Sequence, residues 1–255
     1  MNFKDKVVLI TGGAKGVGKG ITECFLSAHA TVVICGRSTP DDVPSIDGNT
    51  AHFVSCNVLD LEDIARLFET ISETYKRLDV VVNNAGGAPF ADAATASPRF
   101  SEKIIALNLL APLNIAQAAN RIMQDQETGG SIINIASVSA LRPSPGTAAY
   151  GAAKAGLVNL TQSLAIEWAP KVRMNAIAAG LIKTEQSHLH YGDEDGIKAV
   201  EKTVPLERMA SPTDIGNVCM TLASDLSSYV TGATLRVDGG GEKPAFLSAS
   251  NAKDA

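Results

Sequence analysis

The sequence predicts an α/β fold, a seven-stranded parallel sheet flanked by helices, from three observations. Short apolar runs alternate with helix-period patterns along the chain, as in repeated strand–helix–strand units. Several runs are apolar almost throughout, as strands covered on both faces are. A glycine-rich turn, "TGGAKGVG" at 11–18, joins the first run to the first helical pattern.

In chain order, strands are predicted over 6–11, 31–35, 52–58, 78–84, 131–137, 172–178 and 233–239. Helical patterns fall between them at 17–29, 61–76, 101–123, 150–169 and 212–224. The last opens on "SPTD", Ser211 to Asp214, a capping box with Pro212 in the first turn. Residues 36–50, which include Pro40 and Pro44, read as loop. Residues 184–209 are polar at their start and helical only around 195–203. A stretch of that length suits a substrate lid, and its composition suits a solvated surface loop equally. No repeat or linker divides residues 1–255, which read as one domain ending in a tail over 242–255.

Composition narrows the partners. A formal net charge of −5 leaves no basic footprint for nucleic acid. No run of 18 apolar residues is present, so no membrane span is expected, and the N-terminus runs directly into a strand without a signal peptide. Cys24, Cys35, Cys56 and Cys219 have no metal-type spacing and read as small apolar fillers of a protein in a reducing, cytoplasmic setting. His188 and His190 lack a third ligand for zinc, so no metal is expected.

"AAYGAAKAG" at 148–156 sets a phenol and an ammonium four residues apart among the smallest side chains. That spacing puts Tyr150 and Lys154 on one helix face. The small neighbours let something large come close, either another helix or a ligand. The glycine-rich turn points to a ligand. Placed after the first strand and opening the first helix, it has the context of a dinucleotide site. Gly12 permits a tight turn, Gly16 and Gly18 allow close approach, and the helix N-terminal amides, Val17 among them, face a pyrophosphate.

These motifs resemble the short-chain dehydrogenase/reductase family. Thr11-Gly12-x-x-x-Gly16-x-Gly18 matches its cofactor loop, and "NNAG" at 83–86 matches the end of its fourth strand. Ser137 stands 13 residues before Tyr150 of a Tyr-x-x-x-Lys pair, with Asn108 on the helix between loop and triad. "NAIAAGLIKTE" at 175–185 and "TGATLRVDGG" at 231–240 resemble its later segments, so the likeness runs from about residue 5 to 241.

The resemblance implies a Rossmann-type, doubly wound fold and an enzyme that interconverts a ketone and a secondary alcohol with a nicotinamide dinucleotide. Tyr150 would be the general acid/base and Ser137 would hold the reacting oxygen. Lys154 would hold the nicotinamide ribose and favour phenolate. A charge ~4 Å away at an effective dielectric of ~20 is worth about 4 kcal/mol, or ~3 pK units at most. Asn108 would anchor a proton-relaying water; the plain alternative is a buried Asn bonding backbone.

The resemblance also places cofactor contacts at Asn57, Val58, Asn84, Ala85, Gly86, Ile182 and Thr184. Asn57 replaces the family's usual acid, and Ala179 replaces a proline before Gly180. Gly36 stands where NAD-using relatives carry an Asp, followed by Arg37 and Ser38, and Lys15 precedes Gly16. Two cations and a missing carboxylate favour a 2′-phosphate, so NADP(H) is expected over NAD(H). The substrate reads as a small apolar carbonyl or alcohol: a 3-oxoacyl, steroid-like or other lipophilic compound. Helices 101–123 and 150–169 resemble the family's dimer-forming helices, so a homodimer or homotetramer is expected. A non-catalytic dinucleotide sensor and an NAD-dependent alcohol dehydrogenase are the alternatives; retention of Ser137, Tyr150 and Lys154 disfavours the sensor.

Overall fold

The structure, a computed structural model, describes residues 1–249; the end of the expected tail, residues 250–255, lies outside them. Strand β1 (Val7–Thr11) leads through the glycine turn into α1 (Gly16–Ser27), followed by β2 (Thr31–Gly36). A two-stranded hairpin, β3 (Ser45–Ile46) and β4 (Asn49–Thr50), precedes β5 (His52–Ser55). Then come α2 (Leu61–Tyr75), β6 (Val80–Asn83), α3 (Pro98–Ile105), α4 (Ala111–Asp125), β7 (Gly130–Ser137), α5 (Ala148–Trp168) and β8 (Val172–Ala179). The chain continues through α6 (His188–Tyr191), α7 (Glu194–Glu201), α8 (Pro212–Ala223), β9 (Thr234–Val237) and the short α9 (Ala245–Ala249).

Seven strands form one parallel sheet in the order β5-β2-β1-β6-β7-β8-β9. Alternation along each strand feeds two cores. Leu9, Val33, Val81 and Ile132 face α2 and α4, packing on Leu67, Ile71, Ile115 and Met123. Val8, Ile10, Val32, Ile34 and Val82 face the other way, against Ile21 and Phe25 of α1 and Ile215 and Cys219 of α8. The chain winds outward from β1 to β2 and β5, then returns to β6 on the other side. This reversal opens a crevice at the carboxyl ends of β1 and β6, where such sheets bind ligands.

Helix starts follow their capping residues. Asp60 accepts from the Glu62 and Asp63 amides at the head of α2, and Ser211 and Asp214 form the predicted capping box on α8. Three expectations change. Residues 36–50 are not all loop, because a turn at Asp47 and Gly48, both with positive φ, closes the hairpin. The single helix expected at 101–123 is α3 and α4 joined by a π-turn over Ala106–Leu110, which admits one extra residue per turn. The segment 184–209 carries two helices, since His188–Tyr191 is helical as well as Glu194–Glu201.

Candidate active site

The crevice is a cleft of about 710 Å³, lined from every strand end around the reversal. Thr11 ties its floor: the Oγ1 atom accepts from the amides of Asn84 at 3.0 Å and Ala85 at 2.9 Å. Asn84 returns the contact, its Nδ2 donating to the carbonyls of Thr11 and Gly12 at 2.9 and 3.2 Å. The glycine turn is thus fastened to the end of β6. A Cβ on Gly18 would collide with the Gly12 carbonyl, so only glycine lets the turn fold this tightly. A Cβ on Gly16, by contrast, would meet nothing nearer than Thr184 at 3.8 Å. The Cβ side of Gly16 is thus open to a close-approaching ligand.

Every cofactor residue expected from the sequence lines this cleft: Gly12, Lys15, Gly16, Val17, Gly18, Arg37, Ser38, Asn57, Val58, Asn84, Ala85, Gly86, Tyr150, Lys154, Ile182 and Thr184. Ser137 does too. Asn57 is partly committed, since its Oδ1 accepts from the Leu59 amide at 3.2 Å, leaving one lone pair for a ligand. Asp41 lines the same end as Arg37, a carboxylate that the sequence reading passed over.

Asn108 is fully buried and does not line the cleft. The π-turn presents its side chain to the Gly86–Gly87 turn: Oδ1 accepts from the Gly87 amide at 2.8 Å, and Nδ2 donates to the carbonyls of Gly87 and Ile104, each at 2.9 Å. Both amide hydrogens are therefore used on backbone. A Cβ on Gly86 would stand 2.7 Å from Asn108 Oδ1 and 3.3 Å from Lys154 Nζ, so Asn108, Gly86 and Lys154 meet at one point.

Tyr150 and Lys154 occupy successive turns of α5. Lys154 is 3% exposed; its Nζ donates to the Ile135 carbonyl at 2.7 Å and sits 5.6 Å from the centre of the Tyr150 ring. Burial lowers the Lys154 ammonium to about 8. Burial also raises the Tyr150 phenol, opposed by a hydrogen bond with Ser137 and reinforced by Tyr191. Desolvation is the largest influence on the phenol, and the Lys154 ammonium is directed at the Ile135 carbonyl. Two of the small residues of α5 face protein: a Cβ on Gly151 would lie 3.0 Å from the Ser139 carbonyl, and one on Gly156 would lie 3.1 Å from Leu109. Ser137 Oγ is oriented by the Ser139 amide at 3.1 Å.

The segment after β8 crosses the cleft. Ile182 bridges to Ala210, Thr184 N donates to Ser187 Oγ at 2.8 Å, and Gln186 and His190 line the cleft. Glu185 Oε1 accepts from the Gly16 amide at 3.0 Å, putting a carboxylate on the N-terminus of α1. The sequence offered no signal for this contact across 169 residues. Nor did it show that Cys35 and Cys56 come to the edge of the cleft, which depends on sheet register.

Fold and site together define a dinucleotide-binding α/β oxidoreductase. The family model described as enoyl-(acyl carrier protein) reductase matches residues 12–242. Among curated relatives, the 3-oxoacyl-[acyl-carrier-protein] reductase FabG of Aquifex aeolicus is 34% identical, covering 94% of this chain and 98% of that protein. The 3alpha-hydroxysteroid dehydrogenase of Mediterraneibacter gnavus is 32% identical, with coverage of 94% and 98%. The solved structure of the Thermoplasma acidophilum aldohexose dehydrogenase is 27% identical, with a TM-score of 0.86, covering 99% of this chain and 97% of that one. The chain belongs to the short-chain dehydrogenase/reductase family. It is an oxidoreductase of that family, whose members bind nicotinamide dinucleotides.

Proposed function

We propose that this protein reduces an apolar ketone, or oxidises the matching secondary alcohol, with NADP(H). The observation that carries this is the convergence of Ser137, Tyr150 and Lys154 on one cleft facing the glycine turn. The dinucleotide supplies or accepts the hydride when bound. Ser137 Oγ donates to the carbonyl oxygen, and Tyr150 gives that oxygen its proton. Lys154 holds the ribose hydroxyls and, while charged, offsets the desolvation that keeps the phenol protonated. Asn108 is a positioning residue, holding the Gly86–Gly87 turn beside Lys154.

An apolar substrate is supported by a second cavity of about 90 Å³ that shares Tyr150 and is walled by Ala88, Pro89, Ala91, Phe100 and Ile104. The relatives named for 3-oxoacyl thioester and hydroxysteroid chemistry agree with that wall. NADP(H) is supported by Lys15 and Arg37 on the rim and by the absence of an acid at Gly36. Asp41, on the same rim, favours the second reading, NAD(H). On this reading residues 1–255 are one domain in which 184–209 closes over the nicotinamide end, in a homodimer or homotetramer assembled through the helices of 101–123 and 150–169. Ile166, 82% exposed on α5, supports that contact. Four free thiols suit a reducing compartment such as the cytoplasm.

A screen of ketones against NADPH and NADH, followed by loss of reduced-nicotinamide absorbance, tests the reading. Turnover of lipophilic ketones with NADPH supports it. Turnover confined to polyols or sugars, or to NADH, contradicts it.

A further inference from the structure

Ser137 stands at the end of β7 and Tyr150 in the first turn of α5, and the chain between them is tied together by three hydroxyls. Thr147 Oγ1 lies 2.6 Å from Ser144 Oγ, with a longer contact of 3.4 Å to the Ser144 carbonyl. Ser144 Oγ donates to Ser139 Oγ at 3.1 Å. Ser144 has one proton and gives it to Ser139, so Thr147 is the donor in the 2.6 Å contact. The Ser139 amide in turn donates to Ser137 Oγ at 3.1 Å. The contacts therefore run from the head of α5 to the hydroxyl that holds the reacting oxygen in the proposed reaction. That chemistry itself uses none of Ser139, Ser144 and Thr147.

We propose that Ser144 is a positioning residue of this reaction, a brace that holds Ser137 Oγ in its working place beside Tyr150. This rests on the reading of Ser137 and Tyr150 as the reacting pair. Two features set the three hydroxyls apart from an ordinary loop network. Thr147 is the N-cap of α5, where a threonine usually accepts from an amide of the first turn. It makes no such bond, and its hydroxyl goes to Ser144 instead. Ser144 lies between Pro143 and Pro145. Pro145 keeps the residue before it extended and Pro143 fixes its own φ, so Ser144 presents its hydroxyl from a backbone with little freedom. Gly146, at φ 77°, then turns the chain back into α5.

Helix α5 closes on the brace. A Cβ on Gly151, the residue after Tyr150, would stand 3.0 Å from the Ser139 carbonyl and 3.3 Å from Ser144 Cβ. The helix turn that carries Tyr150 thus packs on both serines, and the Gly151 amide donates to the Thr147 carbonyl at 2.9 Å. Thr147 is the fixed end of the brace, anchored on α5, and Ser139 is the end that bears on Ser137. Through the Ser139 amide the brace fills one lone pair of Ser137 Oγ and leaves the Ser137 proton for the carbonyl oxygen. Without the Ser144 hydroxyl, Ser139 Oγ loses its donor and Ser137 Oγ is no longer fixed against Tyr150. Rate depends steeply on such placement, since a shift of ~1 Å can cost about a hundredfold.

The test is a double-mutant cycle between Ser144→Ala and Ser137→Ala, read by NADPH-dependent reduction of ethyl acetoacetate, together with a crystal structure of the Ser144→Ala protein. Ser144→Ala is expected to lower kcat about tenfold while KM and the NADPH dissociation constant stay within about twofold. In the Ser137→Ala background the same change should cost less than about twofold, because a brace that acts through Ser137 has nothing left to place. Thr147→Val should reproduce the loss in kcat, and Thr147→Ser, which keeps the hydroxyl, should restore most of it. The crystal structure should show Ser137 Oγ released from the Ser139 amide. An unchanged kcat, an equal loss in both backgrounds, or an unmoved Ser137 in the structure of the variant overturns the proposal. If the wild type binds NADPH yet reduces no ketone, the reading of the reacting pair fails instead, and the crystal structure still decides whether Ser144 places Ser137.

Discussion

The Lys154 ammonium donates to the Ile135 carbonyl at 2.7 Å, in a pocket that leaves the residue 3% exposed. Burial lowers its value from 10.5 to about 8. Below about 8 the side chain is charged and can donate to ribose hydroxyls with full strength; above it the amine is neutral. NADPH affinity, read by fluorescence titration, is therefore expected to weaken as pH rises through about 8. Lys154→Arg should flatten that limb, and Lys154→Ala should weaken both binding and turnover. The same shift bears on folding with the opposite slope. The charged form is disfavoured in the folded state, so a penalty of about 3 kcal/mol is present below pH 8 and disappears as pH rises towards 10.5. An affinity independent of pH across that range would show that Lys154 does not hold the cofactor.

Glu185 occupies the Gly16 amide that a pyrophosphate would use. Removing its charge at a helix N-terminus is worth ~0.3–1 kcal/mol, so Glu185→Gln should tighten NADPH binding about two- to fivefold. The gain should shrink in high salt. Unchanged or weaker binding would mean that the carboxylate stays on Gly16 in the loaded protein.

The proposed preference for NADPH rests on Gly36, Arg37 and Lys15. A Cβ on Gly36 would meet only Phe53, at 3.7 Å, so an Asp fits there. Two charge-assisted contacts of ~1.5–3 kcal/mol each should give a preference for NADPH of about a hundredfold, less solvent screening. Gly36→Asp with Arg37→Gln should invert the ratio of kcat/KM for the two cofactors, because the new carboxylate repels the phosphate. A wild type that prefers NADH would assign the rim to Asp41 instead.

What was legible in the sequence follows from what each feature depends on. The strands were readable because helices cover both sheet faces, which forces runs such as Val7 to Ile10 to be apolar throughout. The glycine turn and the Tyr150–Lys154 pair were readable because their geometry is local. The β3–β4 hairpin was missed because Pro40 and Pro44 masked the Asp47–Gly48 turn that makes it. The π-turn has no sequence signature, so the contact it allows between Asn108 and the Gly87 amide was not legible. The Glu185–Gly16 contact could not be read, since it joins segments whose proximity only the sheet order determines.

The central claim is that Tyr150 delivers the proton to a carbonyl while the rest of the cleft holds the cofactor. Tyr150→Phe tests it most directly, because it removes one oxygen and leaves the ring packed on α5. NADPH affinity, measured by fluorescence titration, should stay within a few-fold of wild type. Single-turnover reduction of the best ketone should slow by ~10²–10⁴, the usual cost of losing a general acid. Reduction at the wild-type rate by a variant that still binds NADPH would contradict the account.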